Sequence, residues 1–272
     1  MPELPEVETV VRGLREPLIG HKVLGVTCTQ PKTIRHADLA SMTARLQGQK
    51  VIGITRRAKY ILCQLSSGDL FIVHLGMSGR LYVVPDAAQR DSDRWAHLIL
   101  QLDGGQQLRF SDPRRFGFAA VVSTFNELAP KIGPEPLSDD FTRAGFADKL
   151  KRHHKAIKAL LLDQAFIAGV GNIYADESLF RAKIRPLRRA DSLRKAEIDR
   201  LYAAIRAVLE EAIARHGASI NWYRKVDGTA GDAQDNFYVY GREGEPCLVC
   251  GTPIQKIVVG GRGTHFCPKC QK

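Results

Sequence analysis

The spacing of apolar and polar residues divides the chain into a short helical start, a long strand-like region and a second helical region. Behind Pro5 the apolar residues recur at helical spacing, which predicts a helix of about three turns. These residues are Val7, Val10, Val11 and Leu14. From Lys22 to Val122, short β-branched and aromatic runs alternate with turn signals, a pattern typical of strands. The runs are KVLGVT, VIGITRR, YILCQL, LFIVHL, LYVV, HLILQL, QLRFSD and FAAVVS.

The strand-like region predicts an antiparallel sandwich or a flattened barrel, with hairpin loops at SSGD and DGGQ and a short helix near 38–46. The segment IGPEPLSDD at 132–140 then interrupts the pattern with prolines and a glycine, which indicates a linker. Helical periodicity follows and is strongest from Leu193 to His216, with Gly217 as the predicted stop.

These patterns predict an α+β protein with an N-terminal helix and β-sandwich, a helical domain and a C-terminal β-hairpin. The predicted N-terminal domain covers 1–132 and the linker covers 133–141. The helical domain covers 142–236, including a polar stretch at 227–236 that we expect to be mobile, and the hairpin segment covers 237–272.

The charge of the chain favours a polyanionic partner. Its 272 residues include 40 Lys and Arg against 29 Asp and Glu, a net charge of +11. The isoelectric point near 9.5 makes nucleic acid the first expectation and a membrane surface the second. No apolar run approaches the roughly 18 residues of a membrane span, and the acidic N-terminus does not resemble a signal peptide. We therefore expect a cytosolic protein.

Four of the six cysteines form two CxxC pairs near the C-terminus, separated by sixteen residues. They are Cys247, Cys250, Cys267 and Cys270. This spacing predicts one tetrahedral zinc ion, and because protein thiolates fill all four positions, the zinc is structural. Cys28 and Cys63 lie in strand-like sequence, where we expect reduced thiols.

Two other segments carry basic groups whose role the residues alone leave open. Between the CxxC pairs, two strand-like runs flank a Gly-Gly-Arg-Gly turn, which puts Arg262 at a hairpin tip as a solvated charge or as a phosphate ligand. In IAGVGNIYADES, Gly171 and Asn172 precede a helix whose N-terminus is suited to bind phosphate, although such glycines are more often simple caps.

Three residues of the strand-like region stand at turns or strand ends. Lys59 begins an otherwise apolar strand, so its amine is predicted at the rim of the sheet. Met77 and Phe116 are apolar residues flanked by Gly, Ser and Arg. Beside Arg114 they are suited to enter a base stack as wedges, and core packing is the alternative.

The opening MPELPEVE raises a separate question. Proline and carboxylates in a first helical turn have an ordinary explanation, because the missing N–H is not needed there and acids complement the helix dipole. The residues alone therefore do not require chemistry at Pro2.

Read together, the motifs resemble the formamidopyrimidine-DNA glycosylase family, bacterial enzymes that excise oxidised purines. They are PELPEVET, KY at 59, HLGMSGR, DPRRFG, GVGNIYADE and YGREGEPC…CGTPI…GRGTHFCPKC, and they run from residue 2 to the end of the chain. The resemblance implies a β-sandwich, a helix-two-turns-helix domain and a zinc finger. It also implies a bifunctional glycosylase and abasic-site lyase of base excision repair, with duplex DNA in the cleft between two lobes.

The resemblance assigns roles to four catalytic residues and one supporting residue. Removal of Met1 would free the secondary amine of Pro2 to attack C1′ of the damaged nucleotide and form a Schiff base. Glu3 would protonate the sugar ring oxygen, with Glu6 as a supporting carboxylate. Lys59 would assist β-elimination, and Arg262 would assist δ-elimination.

The resemblance also implies DNA contacts. A triad of Met77, Arg114 and Phe116 would fill the hole left by the flipped nucleotide, with the arginine facing the orphaned cytosine. The remaining implied contacts are His97, His154, Lys158, Asn172 and, in a mobile flap after Gly217, Arg224. Many relatives carry His-x-His where this chain reads WAH, so Trp95 replaces one histidine.

Two alternatives stay open at this point. The endonuclease VIII type prefers oxidised pyrimidines, but its members typically begin Pro-Glu-Gly-Pro where this chain has Pro-Glu-Leu-Pro. A DNA-binding protein that lost the chemistry is the other alternative, although the presence of Pro2, Glu3, Lys59 and Arg262 argues against it. We expect a monomer that binds duplex DNA with an oxidised purine or an abasic site, in the bacterial cytoplasm and associated with the nucleoid.

Overall fold

The computed structural model describes residues 1–84, 93–220 and 223–272. It divides into two compact units, Met1–Pro130 with His216–Asp232, and Lys131–Arg215 with Ala233–Lys272. The sequence had grouped 216–232 with the helical domain. In the structure this segment packs with the first unit, because Tyr223 lies in that unit's hydrophobic core.

The first unit begins with α1, Leu4–Leu18. Its N-terminus is a capping box in which the Glu3 side chain accepts from the N3 backbone and the Glu6 side chain accepts the Glu3 N–H at 2.7 Å. This cap starts the helix early, so α1 runs for 15 residues and is longer than predicted. Its apolar face, which includes Val7, Val11 and Leu14, is fully buried.

Two four-stranded antiparallel sheets follow, with strand orders β1-β6-β7-β5 and β2-β3-β4-β8. The strands are β1 (Val23–Cys28), β2 (Val51–Arg57), β3 (Tyr60–Leu65), β4 (Leu70–His74), β5 (Arg80–Val84), β6 (Ala96–Leu102), β7 (Gln107–Ser111) and β8 (Phe118–Val122). Each of the eight predicted runs forms one strand. Leu98 from one sheet and Ile61 from the other share a single apolar core with α1, which confirms the sandwich.

Two short helices accompany the sheets. α2 spans Leu39–Leu46, and the Asp38 side chain caps it by accepting the Ser41 N–H at 2.8 Å, as the prediction of a helix near 38–46 required. The sequence did not indicate α3, Phe125–Leu128, which is a single capped turn after β8.

The second unit is helical and ends in a hairpin. Its elements are α4 (Arg143–Lys151), α5 (Ile157–Leu161), α6 (Asn172–Arg181), α7 (Lys195–Ala214), β9 (Gln255–Val259) and β10 (Arg262–Phe266). α7 buries the predicted stripe that contains Ile198, Leu201 and Ile205. The hairpin pairs Arg262 with Val259, so the turn at Gly260 and Gly261 forms its tip.

No helix in the described ranges combines the length and apolar character needed to cross a lipid bilayer.

Candidate functional site

The N-terminal end of α1 brings together the opening motif of the chain. Pro2 is buried, and the side chains of Glu3 and Glu6 are 2% and 1% exposed. The capping box explains why both carboxylates stay at this helix end, because each satisfies backbone N–H groups that the helix leaves unpaired. The cap and the candidate nucleophile therefore lie at the same helix end.

Four charged side chains act on the N-terminal ammonium group of Met1. Burial lowers the pKa of this ammonium, the carboxylates of Glu3 and Glu6 oppose that shift, and the cations of Lys59 and Arg114 reinforce it. Residues that are far apart in sequence thus surround the segment that carries Pro2.

Lys59 follows a turn that is tied to α1 by an ion pair between Arg56 and Glu8. Lys59 is 5% exposed and follows Ala58, which has a φ of +52° in the turn between β2 and β3. Arg56 donates to the Ala58 carbonyl at 3.0 Å and to the Glu8 carboxylate at 3.1 Å. Helix α1 therefore holds both the opening motif and the turn that presents Lys59.

His74 is a residue whose place in the site the sequence reasoning missed. Burial, assisted by the cations of Lys59 and Arg35, lowers the pKa of His74 to about 4. Its Nδ1 accepts the Gly76 N–H at 3.2 Å, and its ring stacks on Phe118 with centroids 5.4 Å apart. At neutral pH it is an uncharged imidazole beside the lysine. The motif HLGMSGR contained it, but only the fold reveals this neighbour.

The three wedge candidates are all exposed. Met77 is 40% exposed and Phe116 is 54% exposed, which excludes core packing for both. The Arg114 guanidinium lies over the Phe116 ring, 5.0 Å from its centroid. Large apolar side chains at the surface next to a cation are suited to enter a base stack.

His97, a predicted DNA contact, is buried. His97 lies within β6 and is 5% exposed, its Nδ1 is 3.3 Å from Thr29 Oγ1, and its Nε2 is buried without a hydrogen-bond partner among the described residues. Burial lowers the pKa of His97. The neighbouring Trp95 is half-buried, and the Arg94 guanidinium lies 4.5 Å from its ring centroid.

The segment after α7 returns to the opening motif. Glu6 Oε1 accepts the Ala218 N–H at 2.8 Å, and Gly217 has a φ of +75° with no room for a Cβ, which would lie 2.9 Å from the same oxygen. The Arg224 guanidinium donates to the Tyr223 carbonyl at 2.7 Å. Residues 221 and 222 of the predicted flap lie outside the described residues.

In the second unit, the turn before α6 is tied to the hairpin. Asn172 is the first residue of α6, and its Nδ2 donates to the Gly263 carbonyl at 2.8 Å. Asp176 accepts the His265 N–H at 2.9 Å. These two bonds connect the turn that is predicted to bind phosphate to the strand that begins with Arg262.

Lys158 is completely buried. Its side chain and that of Asp176 are both 0% exposed, and they form an ion pair at 2.5 Å. The Lys158 ammonium also donates to the Asn172 carbonyl at 2.8 Å. Lys158 therefore supports the backbone of Asn172, and its own contact with DNA stays a prediction.

His154 remains at the surface of this unit. Its side chain is 75% exposed, and Nδ1 lies 2.8 Å from Asp191 Oδ2. Arg189 pairs with the same carboxylate at 2.7 Å. His154 therefore lies at the surface beside Arg189, whereas Lys158 is buried.

The four C-terminal cysteines form the predicted metal centre. Their Sγ atoms all lie within 4.8 Å of one another, with Cys247 and Cys270 at 3.9 Å and Cys250 and Cys267 at 3.5 Å. A tetrahedral zinc ion with bonds of about 2.3 Å places its sulfurs about 3.8 Å apart, so the geometry fits. Because the donor set is complete, the ion is structural.

Three family domains match the chain in order. Residues 1–119 match the formamidopyrimidine-DNA glycosylase N-terminal domain, residues 132–224 match its H2TH domain, and residues 244–272 match the zinc finger found in FPG and IleRS. The chain belongs to the formamidopyrimidine-DNA glycosylase family. This confirms the resemblance, the α+β fold with its helix-two-turns-helix domain, the DNA glycosylase class and one structural zinc ion per chain.

Formamidopyrimidine-DNA glycosylases from bacteria are similar over the full length of the chain. The enzyme of Symbiobacterium thermophilum is 46% identical over 275 residues, which cover 100% of this chain and 89% of the relative. That of Herpetosiphon aurantiacus is 46% identical over 274 residues, with 100% of both chains covered.

Solved structures of the family share the fold. The protein from Thermus thermophilus has a TM-score of 0.89 at 43% identity, covering 99% of this chain and 98% of that chain. A Lactococcus lactis enzyme in complex with Fapy-dG-containing DNA has a TM-score of 0.92 at 39% identity, with 100% of both chains covered.

Proposed function

We propose that this formamidopyrimidine-DNA glycosylase excises oxidised purines from duplex DNA and then cuts the strand by β,δ-elimination, as a step of base excision repair. Relatives of the same fold have been solved with DNA that contains Fapy-dG, a carbocyclic 8-oxo-G or an abasic site. The observation that carries the proposal is that Pro2, Glu3 and Glu6 are buried at one helix end, where the charge of the buried Lys59 also acts on the N-terminus.

Pro2 is suited to be the nucleophile once Met1 has been removed. An α-amine has a reference pKa of about 8, against about 10.4 for a lysine side chain, so more of it is unprotonated at neutral pH. The Pro2 nitrogen attacks C1′, the bond from C1′ to the base breaks, and the base leaves. While Met1 is attached, the same nitrogen belongs to an amide and is not nucleophilic.

The two carboxylates of the opening motif have separate roles. Glu3 protonates the sugar ring oxygen, which opens the ring and leaves an iminium between Pro2 and C1′. Glu6 accepts the N–H groups of Glu3 and Ala218, so it holds the acid and the segment after Gly217 in place. This arrangement makes Glu6 a supporting residue.

The strand is cut after the iminium forms. Lys59, buried beside the neutral ring of His74, assists β-elimination, in which the 3′ phosphate leaves. Arg262, exposed at the tip of the hairpin, assists δ-elimination, in which the 5′ phosphate leaves. The zinc ion closes the finger that carries Arg262 and takes no part in the bond changes.

The DNA contacts follow from the exposed groups. Met77, Arg114 and Phe116 fill the gap left by the flipped nucleotide and offset part of the few kcal/mol that flipping costs. Asn172 and His154, with Lys158 behind them, anchor the DNA backbone, and Arg224 belongs to the flap over the extruded base. The net charge of +11 supports binding to the polyanion in the bacterial cytoplasm and nucleoid.

Borohydride trapping tests the proposal. The full chain without Met1 is mixed with an 8-oxoguanine·cytosine duplex and borohydride, and the mass of the product is measured. We expect one covalent adduct with DNA attached at Pro2, together with strand scission. Protein that retains Met1 is expected to bind the same duplex without forming the adduct.

Three outcomes would overturn this assignment. One is normal scission of lesion-bearing duplexes by Pro2→Ala, or by protein acetylated at its N-terminus. Another is faster excision of thymine glycol than of 8-oxoguanine, which would place the chain with the enzymes for oxidised pyrimidines. The third is tight binding without scission by methionine-free protein, which would indicate a DNA-binding protein that has lost the chemistry.

A further inference from the structure

The turn that carries Met77 and the loop that carries Arg114 and Phe116 share one buried polar centre. Asp112 begins the loop after β7, Ser78 follows Met77, and both are 2% exposed. Ser78 Oγ donates to Asp112 Oδ1 at 2.5 Å. Ser78, next to Met77, is therefore hydrogen-bonded to Asp112, which begins the loop that carries Arg114 and Phe116.

The Asp112 carboxylate also fixes the backbone of that loop. Its Oδ2 accepts the Gly117 N–H at 2.7 Å, and its Oδ1 accepts the Arg114 N–H at 3.2 Å. Between these donors lies Arg115, whose φ of +58° is uncommon for a residue with a side chain. Hydrogen bonds on both sides hold this conformation in place.

The two segments also touch through their backbones. Gly76 has a φ of +61°, and a Cβ at this position would lie 2.4 Å from the backbone nitrogen of Gly117. Only a glycine allows this approach. The contact lies next to the Asp112 hydrogen bonds, so the turn and the loop are joined at two neighbouring points.

We propose that Asp112, together with Ser78, is a positioning residue that holds Met77, Arg114 and Phe116 as one preset wedge. This inference rests on the proposed function, because it assumes that the three side chains enter the DNA. The anchors are buried and the wedge side chains are exposed. A wedge that is ordered before DNA binds loses less conformational entropy when it inserts, which favours flipping of a paired base.

The variant Asp112→Asn tests whether both oxygens of the carboxylate are needed as acceptors. An amide has one accepting oxygen, so it cannot accept hydrogen bonds from the Gly117 side and from the Ser78 and Arg114 side at the same time. We expect single-turnover excision of 8-oxoguanine opposite cytosine to fall about tenfold or more, corresponding to about 1.4 kcal/mol. Cleavage of a preformed abasic site, where no base pair has to break, should fall about threefold or less.

A double-mutant cycle with Met77→Ala tests whether Asp112 acts through the wedge. If it does, the double variant excises 8-oxoguanine about as fast as the slower single variant, because the second change acts on a wedge that is already lost. Effects that multiply would contradict the proposal. Asp69→Asn is the matched control, since Asp69 lies in the same unit and pairs with Arg45 at 2.7 Å. It should leave the ratio of excision to abasic-site cleavage unchanged.

If the Asp112→Asn variant does not fold, the variant Ser78→Ala tests the same proposal. It removes a single hydroxyl. In its double-mutant cycle with Met77→Ala, the double variant must excise 8-oxoguanine about as fast as the slower single variant. If wild-type protein forms no borohydride adduct, the proposed function itself is wrong. If wild type forms the adduct but the variant lowers excision and abasic-site cleavage by equal factors, only the role of Asp112 is overturned.

Discussion

Glu6 and Ala218 are 212 residues apart in the chain, and the carboxylate of the first accepts the backbone N–H of the second at 2.8 Å. The other oxygen of Glu6 accepts the Glu3 N–H at 2.7 Å. A single buried carboxylate thus joins the helix that carries Pro2 to the segment that follows α7. Because both donors are backbone groups, the link depends on the two acceptor oxygens and not on the identity of the residues they bind.

We expect Glu6→Gln to lower the free energy of unfolding by about 1–3 kcal/mol, because the amide nitrogen cannot accept an N–H and leaves a buried donor unpaired. Urea unfolding measures the loss, and hydrogen exchange should show faster exchange of the Ala218 amide. Glu16→Gln, at an exposed position of the same helix, is the control and should stay within about 0.5 kcal/mol of wild type. Unchanged exchange at Ala218 would contradict the link.

The burial of Lys158 with Asp176 predicts a large effect on stability and none on salt dependence. Lys158→Met leaves a buried carboxylate unpaired and should cost about 3–5 kcal/mol. Adding Asp176→Asn, which keeps an acceptor for the His265 N–H, should recover part of that loss. The control is Lys195→Met, which breaks an exposed ion pair with Asp199. It should lower the free energy of unfolding by about 1 kcal/mol or less.

DNA binding by the same lysine variant distinguishes support from contact. A residue that neutralises one phosphate changes the slope of log affinity against log salt by about 0.9. We expect the slope of the Lys158→Met variant to equal that of wild type. A slope reduced by one phosphate would show that Lys158 itself contacts the DNA backbone.

The neutral imidazole of His74 predicts a loss of stability in acid. The pKa of His74 is about 4 in the folded protein, below the ordinary value of 6.5, so as pH falls the unfolded chain takes up the proton first. Its contribution is therefore complete above pH 6.5 and is lost towards pH 4. Between pH 7.5 and pH 4.5, wild type should lose about 2–3 kcal/mol more than His74→Asn, measured by urea unfolding. Parallel pH profiles for the two proteins would refute this account.

The zinc centre predicts that Arg262 depends on the metal for its position. Cys250→Ser, or chelation of the ion, should disorder the finger and lower strand cleavage by about tenfold or more, equivalent to at least about 1.4 kcal/mol in the barrier. Gel analysis of the cleaved strand, with zinc content measured in parallel, provides the readout. Cys28 lies outside the cluster, so the Cys28→Ser variant should cleave DNA normally. Full cleavage by zinc-free protein would show that Arg262 does not need the finger.

The sequence by itself determined the parts of this protein that depend on local pattern. The eight strands follow from alternating apolar runs between turn signals, and the helix caps follow from Asp38 and from the opening motif. The zinc centre follows from CxxC spacing, because two short turns place four thiolates around one ion. The site around Pro2 was assigned through whole motifs, since proline in a first turn is also explained by helix capping alone.

Only the tertiary structure decided which polar residues are buried and what they pair with. The family resemblance implies DNA contacts for Lys158 and His97, yet both are buried inside their units, and Glu6 reaches a backbone group 212 residues away. Periodicity reports which face of a helix or strand is buried, but it does not specify which distant segment covers that face. Burial then decides the chemistry, because a buried charge needs a partner within hydrogen-bond distance whereas an exposed charge is available to DNA.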